Sequence, residues 1–171
     1  MKQLIIIPIC LTLIACDGGL APPPPKPPVE LGFSGTIYYA PGSWPPVDSL
    51  VNLMIFASQI YPLDSSLVST GLFSDPPTIF LYPQIGQSLS FFEDSTSYSF
   101  PLKSGTYKYI GVLQQLSSDM LTYGIRVFRV VGFYRDPLIP SQPGSVVVND
   151  TSQIEGININ VDFQNPPAQP F

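Results

Sequence analysis

Gly156-Ile157-Asn158-Ile159-Asn160-Val161-Asp162-Phe163 is the stretch whose reading decides the fold. Four apolar residues, Ile157, Ile159, Val161 and Phe163, alternate here with three polar ones, Asn158, Asn160 and Asp162. Successive side chains of an extended chain point to opposite faces, so this octet predicts a strand with one buried face and one wet face. A helix would put the same apolar residues on two opposite sides of its axis. A single wet face also points to an antiparallel sheet packed on one side rather than a parallel sheet covered on both.

Other short segments rich in Val, Ile, Tyr and Phe carry the same signal. They are Phe33–Tyr39, Leu50–Ser58, Ile79–Tyr82, Ser97–Leu102, Thr106–Gln115, Arg126–Arg135, Ser145–Asn149 and, enclosing the octet, Ile154–Phe163. Between them proline and glycine recur, as at Pro41-Gly42, Pro45-Pro46, Pro76-Pro77 and Pro143-Gly144, and long helices do not survive such punctuation. The expected fold is therefore all-β, a single antiparallel β-sandwich of about 7–8 strands. Leu50–Ser58 has Val51, Leu53, Ile55 and Ala57 on one face and Met54 and Phe56 on the other, which predicts cover on both sides. The stretch 59–87 admits either a short helix over Asp64–Thr70, capped by Asp64 or Ser65, or a packed loop.

The chain has 171 residues and no histidine. That absence removes the Ser-His-Asp and Cys-His devices, the usual zinc and iron ligand sets and the commonest general base near neutral pH. Charged residues make up only 11% of the chain, too few to supply many acid-base pairs, so no catalytic residue, metal ligand or cofactor is assigned. Lys108, Arg126, Arg129 and Arg135 hold most of the positive charge of the core region, and cross-strand pairing with acids is their expected use. A formal net charge of −5 disfavours nucleic acid, whose recognition needs clustered Lys and Arg.

The first residues read differently. Lys2 precedes an apolar run from Leu4 to Ala15, which at 12 residues falls short of the roughly 20 needed to span a bilayer as a helix. Leu13-Ile14-Ala15-Cys16 resembles the bacterial lipoprotein box, which implies a signal peptide over 1–15, cleavage, and lipidation (diacylglycerol and palmitate-type acyl chains) of Cys16. Residues 16–30 then form a proline-rich linker, 31–165 the sandwich domain and 166–171 a proline-rich tail. The prolines between Ala21 and Val29 favour polyproline II at ~3.1 Å per residue, a semi-rigid spacer from the membrane. Cys10 would leave with the signal and Cys16 would carry lipid, so the folded domain is expected to hold no disulfide. Asp17 resembles the inner-membrane retention signal of enteric bacteria, a rule that is not general, and the outer membrane is the preferred expectation.

Tyr98-Ser99-Phe100-Pro101-Leu102-Lys103-Ser104-Gly105-Thr106-Tyr107 resembles the strand-turn-strand signature of carboxypeptidase regulatory-like domains, the transthyretin-like (prealbumin-like) sandwiches. Gly35-Thr36-Ile37 and the closing octet fit the first and last strands of that family in order and spacing. The resemblance implies the sandwich but little about function, since the architecture hosts many roles. Hydroxyisourate hydrolysis, found in some relatives, depends on histidines that are missing here. The Lys-Asn isopeptide bond of related adhesin modules is not expected, because Phe33–Tyr39 contains no lysine.

Candidate binding residues are aromatic. Trp44, the sole tryptophan, sits in Ala40-Pro41-Gly42-Ser43-Trp44-Pro45-Pro46, where it either stacks on a ligand or folds back over the end of the core. Burial favours the second, because a large apolar ring gains more from leaving water. Tyr107 and Tyr109, two apart on one predicted strand, and the outward Tyr38 would make either an aromatic platform for glycan or peptide or a set of cross-strand pairs. The carboxylates Glu93, Asp94 and Asp162 would serve a hydrolase only if they converged in a cleft. The expectation is a non-catalytic, lipid-anchored envelope protein whose sandwich binds a protein or glycan or supports envelope structure. A carboxylate-based hydrolase of the periplasm or cell surface is the alternative.

Overall fold

The computed structural model describes residues 30–170, the side chains of Ser69, Met120 and Leu121 excepted. The expected signal peptide, Cys16 and the proline-rich stretch up to Val29 lie outside the described residues. The rest is an all-β sandwich of nine strands, two of its sheets facing each other across a hydrophobic core.

One sheet is built on β1 (Gly32–Tyr39), which pairs antiparallel with β4 (Ser95–Pro101) and parallel with β9 (Ile159–Val161). The other contains β2 (Asn52–Ser58), β3 (Ile79–Tyr82), β6 (Tyr109–Gln115) and β7 (Phe128–Phe133), in the order β3-β2-β6-β7 and antiparallel throughout. A two-stranded ribbon of β5 (Gly105–Tyr107) and β8 (Val146–Val148) completes the set. The β1·β9 pair departs from the wholly antiparallel expectation. Its alternation is as predicted: Ile157, Ile159, Val161 and Phe163 are buried, while Asn158 and Asn160 are exposed.

The strand expected over Thr106–Gln115 is two strands. At Lys108 the backbone N–H donates to Ser58 O (2.7 Å), and the chain passes from the ribbon to the four-stranded sheet. A strand that changes sheets loses its period of two, and Tyr107 and Tyr109 therefore do not share a face. The segment expected over Ile154–Phe163 is regular only in β9. Before it, Ile154 and Ile157 bond to Gly32 O and Ser34 O, on either side of Gly156 with φ 81°.

Two cores flank the four-stranded sheet, as the two apolar faces of β2 require. Leu53, Ile55 and Ala57 face the three-stranded sheet with Phe33, Ile37, Ile110, Val112 and the closing residues. Met54 and Phe56 face outward under α1 (Ser65–Phe73), among Leu63, Val68, Ile79, Tyr109, Leu113, Phe128 and Val130. The open segment 59–87 thus holds a helix followed by a strand. Asp64 caps α1: its Oδ1 accepts from Ser66 N (2.8 Å), Leu67 N (2.9 Å) and Ser66 Oγ (2.7 Å).

The sandwich is closed along one side. Asp162 N donates to Val131 O (3.3 Å), and Gly132 lies so close to the closing strand that a Cβ there would sit 2.3 Å from Asn160 O. Val131 can turn that way because β7 carries a bulge opposite Val112 and Leu113. The proline-rich tail is not detached from the domain. Its Gln169 amide mimics a strand partner for the free edge of β7, accepting from Val130 N (2.8 Å) and donating to Val130 O (3.0 Å).

The backbone N–H of Leu67, then the hydroxyl and N–H of Ser66, hold the Asp64 carboxyl below the usual carboxylate range. A depressed folded-state value means that the cap stabilises fully above the unfolded pKa of about 3.9 and fades as pH falls through the folded value. Asp64→Ala is expected to lower the melting temperature at pH 7 and to matter less near pH 2. Asp64→Asn, an equally good cap, should keep most of the stability at both pH values. Equal melting temperatures for wild type and Asp64→Ala at pH 7 would contradict the capping role.

Candidate functional site

The apolar core ends where β1 runs into the loop 40–46, and the groups meeting there are unlike those in the middle of the sandwich. Trp44 turns back onto the core. Its ring centroid lies 4.6 Å from Tyr39 and 4.6 Å from Phe163, and its indole N–H donates to Glu93 O (3.1 Å). The expected folding-back over the core end is what the structure has, yet the ring also borders a cavity of about 390 Å³. Ser43, Pro45, Pro46, Gln114, Arg129, Phe163 and Gln164 border it too.

Arg129 dominates this cavity. It is the one charged residue of β7 and reaches the end of the core, where Nη2 donates to Gln114 Oε1 (2.8 Å) and Phe163 O (3.1 Å). Gln114 is wholly buried at 0% exposure, and it is fixed from its other end by donating to Ser49 O (2.9 Å). Arg129 Nε is buried without a hydrogen-bond partner. So is Ser43 Oγ, on a side chain only 4% exposed. Two unpaired buried polar groups at one cavity are costly, about 1–3 kcal/mol each by the usual desolvation penalty.

For Arg129 and Arg135 the expected cross-strand acid pairing is replaced by bonds to neutral oxygens. Arg129 uses an amide and a carbonyl. Arg135 donates to Pro140 O (2.7 Å) and lies over the Phe133 ring at 5.0 Å. Phe92, beside Trp44 at 5.3 Å, is 51% exposed and holds φ at 62°, the left-handed region that non-glycine residues avoid.

The tyrosines do not form an aromatic platform, so of the two readings of Tyr38, Tyr107 and Tyr109 the shared binding surface is the one the structure corrects. Tyr107 is in the core between the sheets, donating its hydroxyl to Lys103 O (2.9 Å), and Tyr109 is in the core beneath α1. The sheet change at Lys108 sends them to opposite sides. Tyr38 alone is exposed, at 47%, next to a separate cavity of about 370 Å³ that Arg135 and Asp162 also border. Burial raises the phenol pKa of Tyr107 and Tyr109, and of Tyr39, where the Glu93 charge adds to it against the Thr96 hydrogen bond.

Of the three carboxylates considered for hydrolysis, Asp162 is spent on its own turn. It accepts from Asn165 Nδ2 (3.1 Å), Asn165 N (3.0 Å) and Gln164 N (2.9 Å), which lower its pKa and keep it ionised. Glu93 and Asp94 contribute backbone carbonyls, to Trp44 Nε1 and to Tyr39 N, and neither borders the cavity beside Asp162. Among the described residues no group of three or more Asp, Glu, Cys or His side chains is placed to hold a metal ion.

Sequence reasoning singled out Trp44 but missed Ser43, Gln114 and Arg129 as its companions. A signal was present: Arg129 is the lone charged residue in the otherwise apolar strand Phe128–Phe133, and Gln114-Gln115 ends the apolar run of Tyr109–Gln115. No family model, curated protein or solved structure matches the chain. The site is therefore argued from its own geometry.

Trp44→Ala should cost about 2–4 kcal/mol, because the ring bridges Tyr39 and Phe163 at the core end. Tyr38→Ala should stay within about 0.5 kcal/mol, as an exposed position allows. Urea unfolding followed by circular dichroism checks both, and a Trp44 loss no larger than that of Tyr38 would refute the packing role.

Proposed function

We propose that the protein is a non-catalytic, lipid-anchored component of the bacterial cell envelope whose sandwich binds a glycan at the Trp44 end. The observation that carries the binding reading is the convergence of Trp44, Ser43, Gln114 and Arg129 on a single cavity of about 390 Å³. That size lies at the lower end of the range for small-ligand sites. An aromatic ring with amide, hydroxyl and guanidinium groups around it matches a sugar, which offers an apolar ring face and a girdle of hydroxyls.

The anchor rests on Leu13-Ile14-Ala15-Cys16, and the linker through Val29 sets the sandwich away from the bilayer. Among the described residues no helix is long and apolar enough to cross a membrane. The outer membrane is the proposed site of attachment. Placement with the transthyretin-like sandwiches is supported by the Tyr98–Tyr107 resemblance, in which the chain leaves β4, turns through Lys103-Ser104 and enters β5. The carboxylate-hydrolase alternative gains no support from Asp162, whose carboxylate is fully engaged within its own turn.

Metabolic labelling with a fatty-acid analogue should mark the wild-type protein in the membrane fraction. Cys16→Ser should lose that label, and label retained by Cys16→Ser would overturn the anchor. A glycan array probed with the soluble domain should show binding that Trp44→Ala removes at a temperature where the variant is folded. An array without signal, or a signal indifferent to Trp44→Ala, would overturn glycan binding at this end.

A further inference from the structure

We infer that the end cavity selects sugars bearing a carboxylate, with Arg129 and Ser43 receiving the acid group while Trp44 covers the ring. The inference rests on the glycan-binding reading and adds the chemical class of the ligand. It begins from a charge that has no counter-charge. Arg129 is half-buried, makes its two hydrogen bonds through Nη2 alone and to neutral oxygens, and shares its cavity with no Asp or Glu. A guanidinium partly removed from water and left without an anion carries part of its desolvation cost, and a ligand carboxylate would offset it.

The geometry of the remaining donors agrees. With Nη2 committed to Gln114 and Phe163, and with the buried Nε–H on that same side of the guanidinium, Nη1 is the donor left to receive a carboxylate oxygen. A single charge-assisted hydrogen bond from Nη1 to a carboxylate is stronger than one to a neutral hydroxyl. Ser43 Oγ, on a side chain 96% removed from solvent, borders the same cavity and lacks a partner. Ser43 Oγ and Arg129 Nε lie beneath a surface that must loosen slightly to admit a ligand, and the loop 40–46 that carries Ser43 is held by Ala40 N to Val161 O (2.9 Å), Trp44 Nε1 to Glu93 O (3.1 Å) and Gln164 Nε2 to Gly42 O (3.0 Å).

The size of the cavity limits the ligand further. About 390 Å³ bordered by Trp44, Pro45 and Pro46 suits one sugar ring rather than a folded partner. Fixing Gln114 between Ser49 O and Arg129 holds the guanidinium in place before any ligand arrives, so little side-chain freedom is lost on binding.

The test titrates the domain with galacturonate and glucuronate disaccharides, the corresponding neutral disaccharides, and acetate. Binding is read by calorimetry and by the fluorescence of Trp44, the sole tryptophan. At least one uronate should bind about ten-fold tighter than its neutral counterpart, with a preference that weakens as salt is raised. Arg129→Gln should abolish the preference by lowering uronate affinity more than neutral-sugar affinity, and Ser43→Ala should reduce uronate affinity several-fold. If Arg129→Gln does not fold, Ser43→Ala and the salt dependence of wild type decide. Equal affinity for uronate and neutral sugar, or a preference that survives the variants, overturns the carboxylate inference and leaves glycan binding standing. Acetate binding as tightly as the uronates would reduce the cavity to a simple anion site and overturn it as well. Absence of binding by every sugar overturns the glycan reading itself.

Discussion

The closing segment 157–163 is the constraint on which the rest of the structure depends, because it is held on two sides at once. Ile159, Asn160 and Val161 run parallel to Ile37, Tyr38 and Tyr39 of β1, while Asp162 N reaches across to Val131 O on β7. One short strand therefore belongs to one sheet and touches the edge of the other. Its apolar residues, Ile157, Ile159, Val161 and Phe163, all enter the core between the sheets. At roughly 1.5–3 kcal/mol for each large apolar side chain buried, this row outweighs the few hydrogen bonds of a three-residue strand. The seam is thus held mainly by burial, with hydrogen bonds fixing its register.

That seam makes the sandwich asymmetric. On its side the β9 and β7 edges meet, and Gln169 satisfies Val130 beyond them. On the opposite side β3 and β4 each pair with a single neighbour, and an apolar groove of about 750 Å³ runs between Tyr82, Pro83, Phe100 and Pro101. The seam also decides where the end cavity forms. Phe163 is the last inward residue of the row, and its carbonyl is one of the two oxygens that hold Arg129. Beyond Phe163 no apolar row continues, so polar side chains take over at the end of the core.

How far the fold was legible follows from which interactions are local. Alternation within one strand is local, and Ile157–Phe163 reads directly as buried and wet faces; the two apolar faces of Leu50–Ser58 likewise announce two layers of cover. Asp64 is legible as a cap because it acts on the N–H groups of Ser66 and Leu67, two and three residues away. The break at Lys108 is not local. Thr106–Gln115 has the composition of one strand, and only the pull of β8 on one half and β2 on the other divides it. Parallel pairing of β9 with β1 is equally invisible, since the direction of a neighbour leaves no mark on a strand of three residues. The same limit applies to the site: Trp44 was conspicuous as a lone tryptophan between prolines, whereas Ser43, Gln114 and Arg129 meet only after three distant segments are folded together.

What the end cavity does with these groups turns on a comparison of charge states. A protein with 12 acidic and 7 basic residues has carboxylates to spare, yet among the described residues none is hydrogen-bonded to Arg129. If the guanidinium were there only for stability, an acid in place of Gln114 would neutralise it, or an apolar residue in place of Arg129 would remove the desolvation cost altogether. Gln114 does neither. It orients the cation through a neutral amide and leaves the charge without a carboxylate partner, the arrangement from which anion binding is proposed. Chemistry would ask for more: a group able to exchange protons near neutral pH, which this histidine-free cavity, with a permanently charged guanidinium and no carboxylate, does not contain. Held charge without proton exchange suits recognition, and that is why binding rather than turnover is the function proposed for this end of the sandwich.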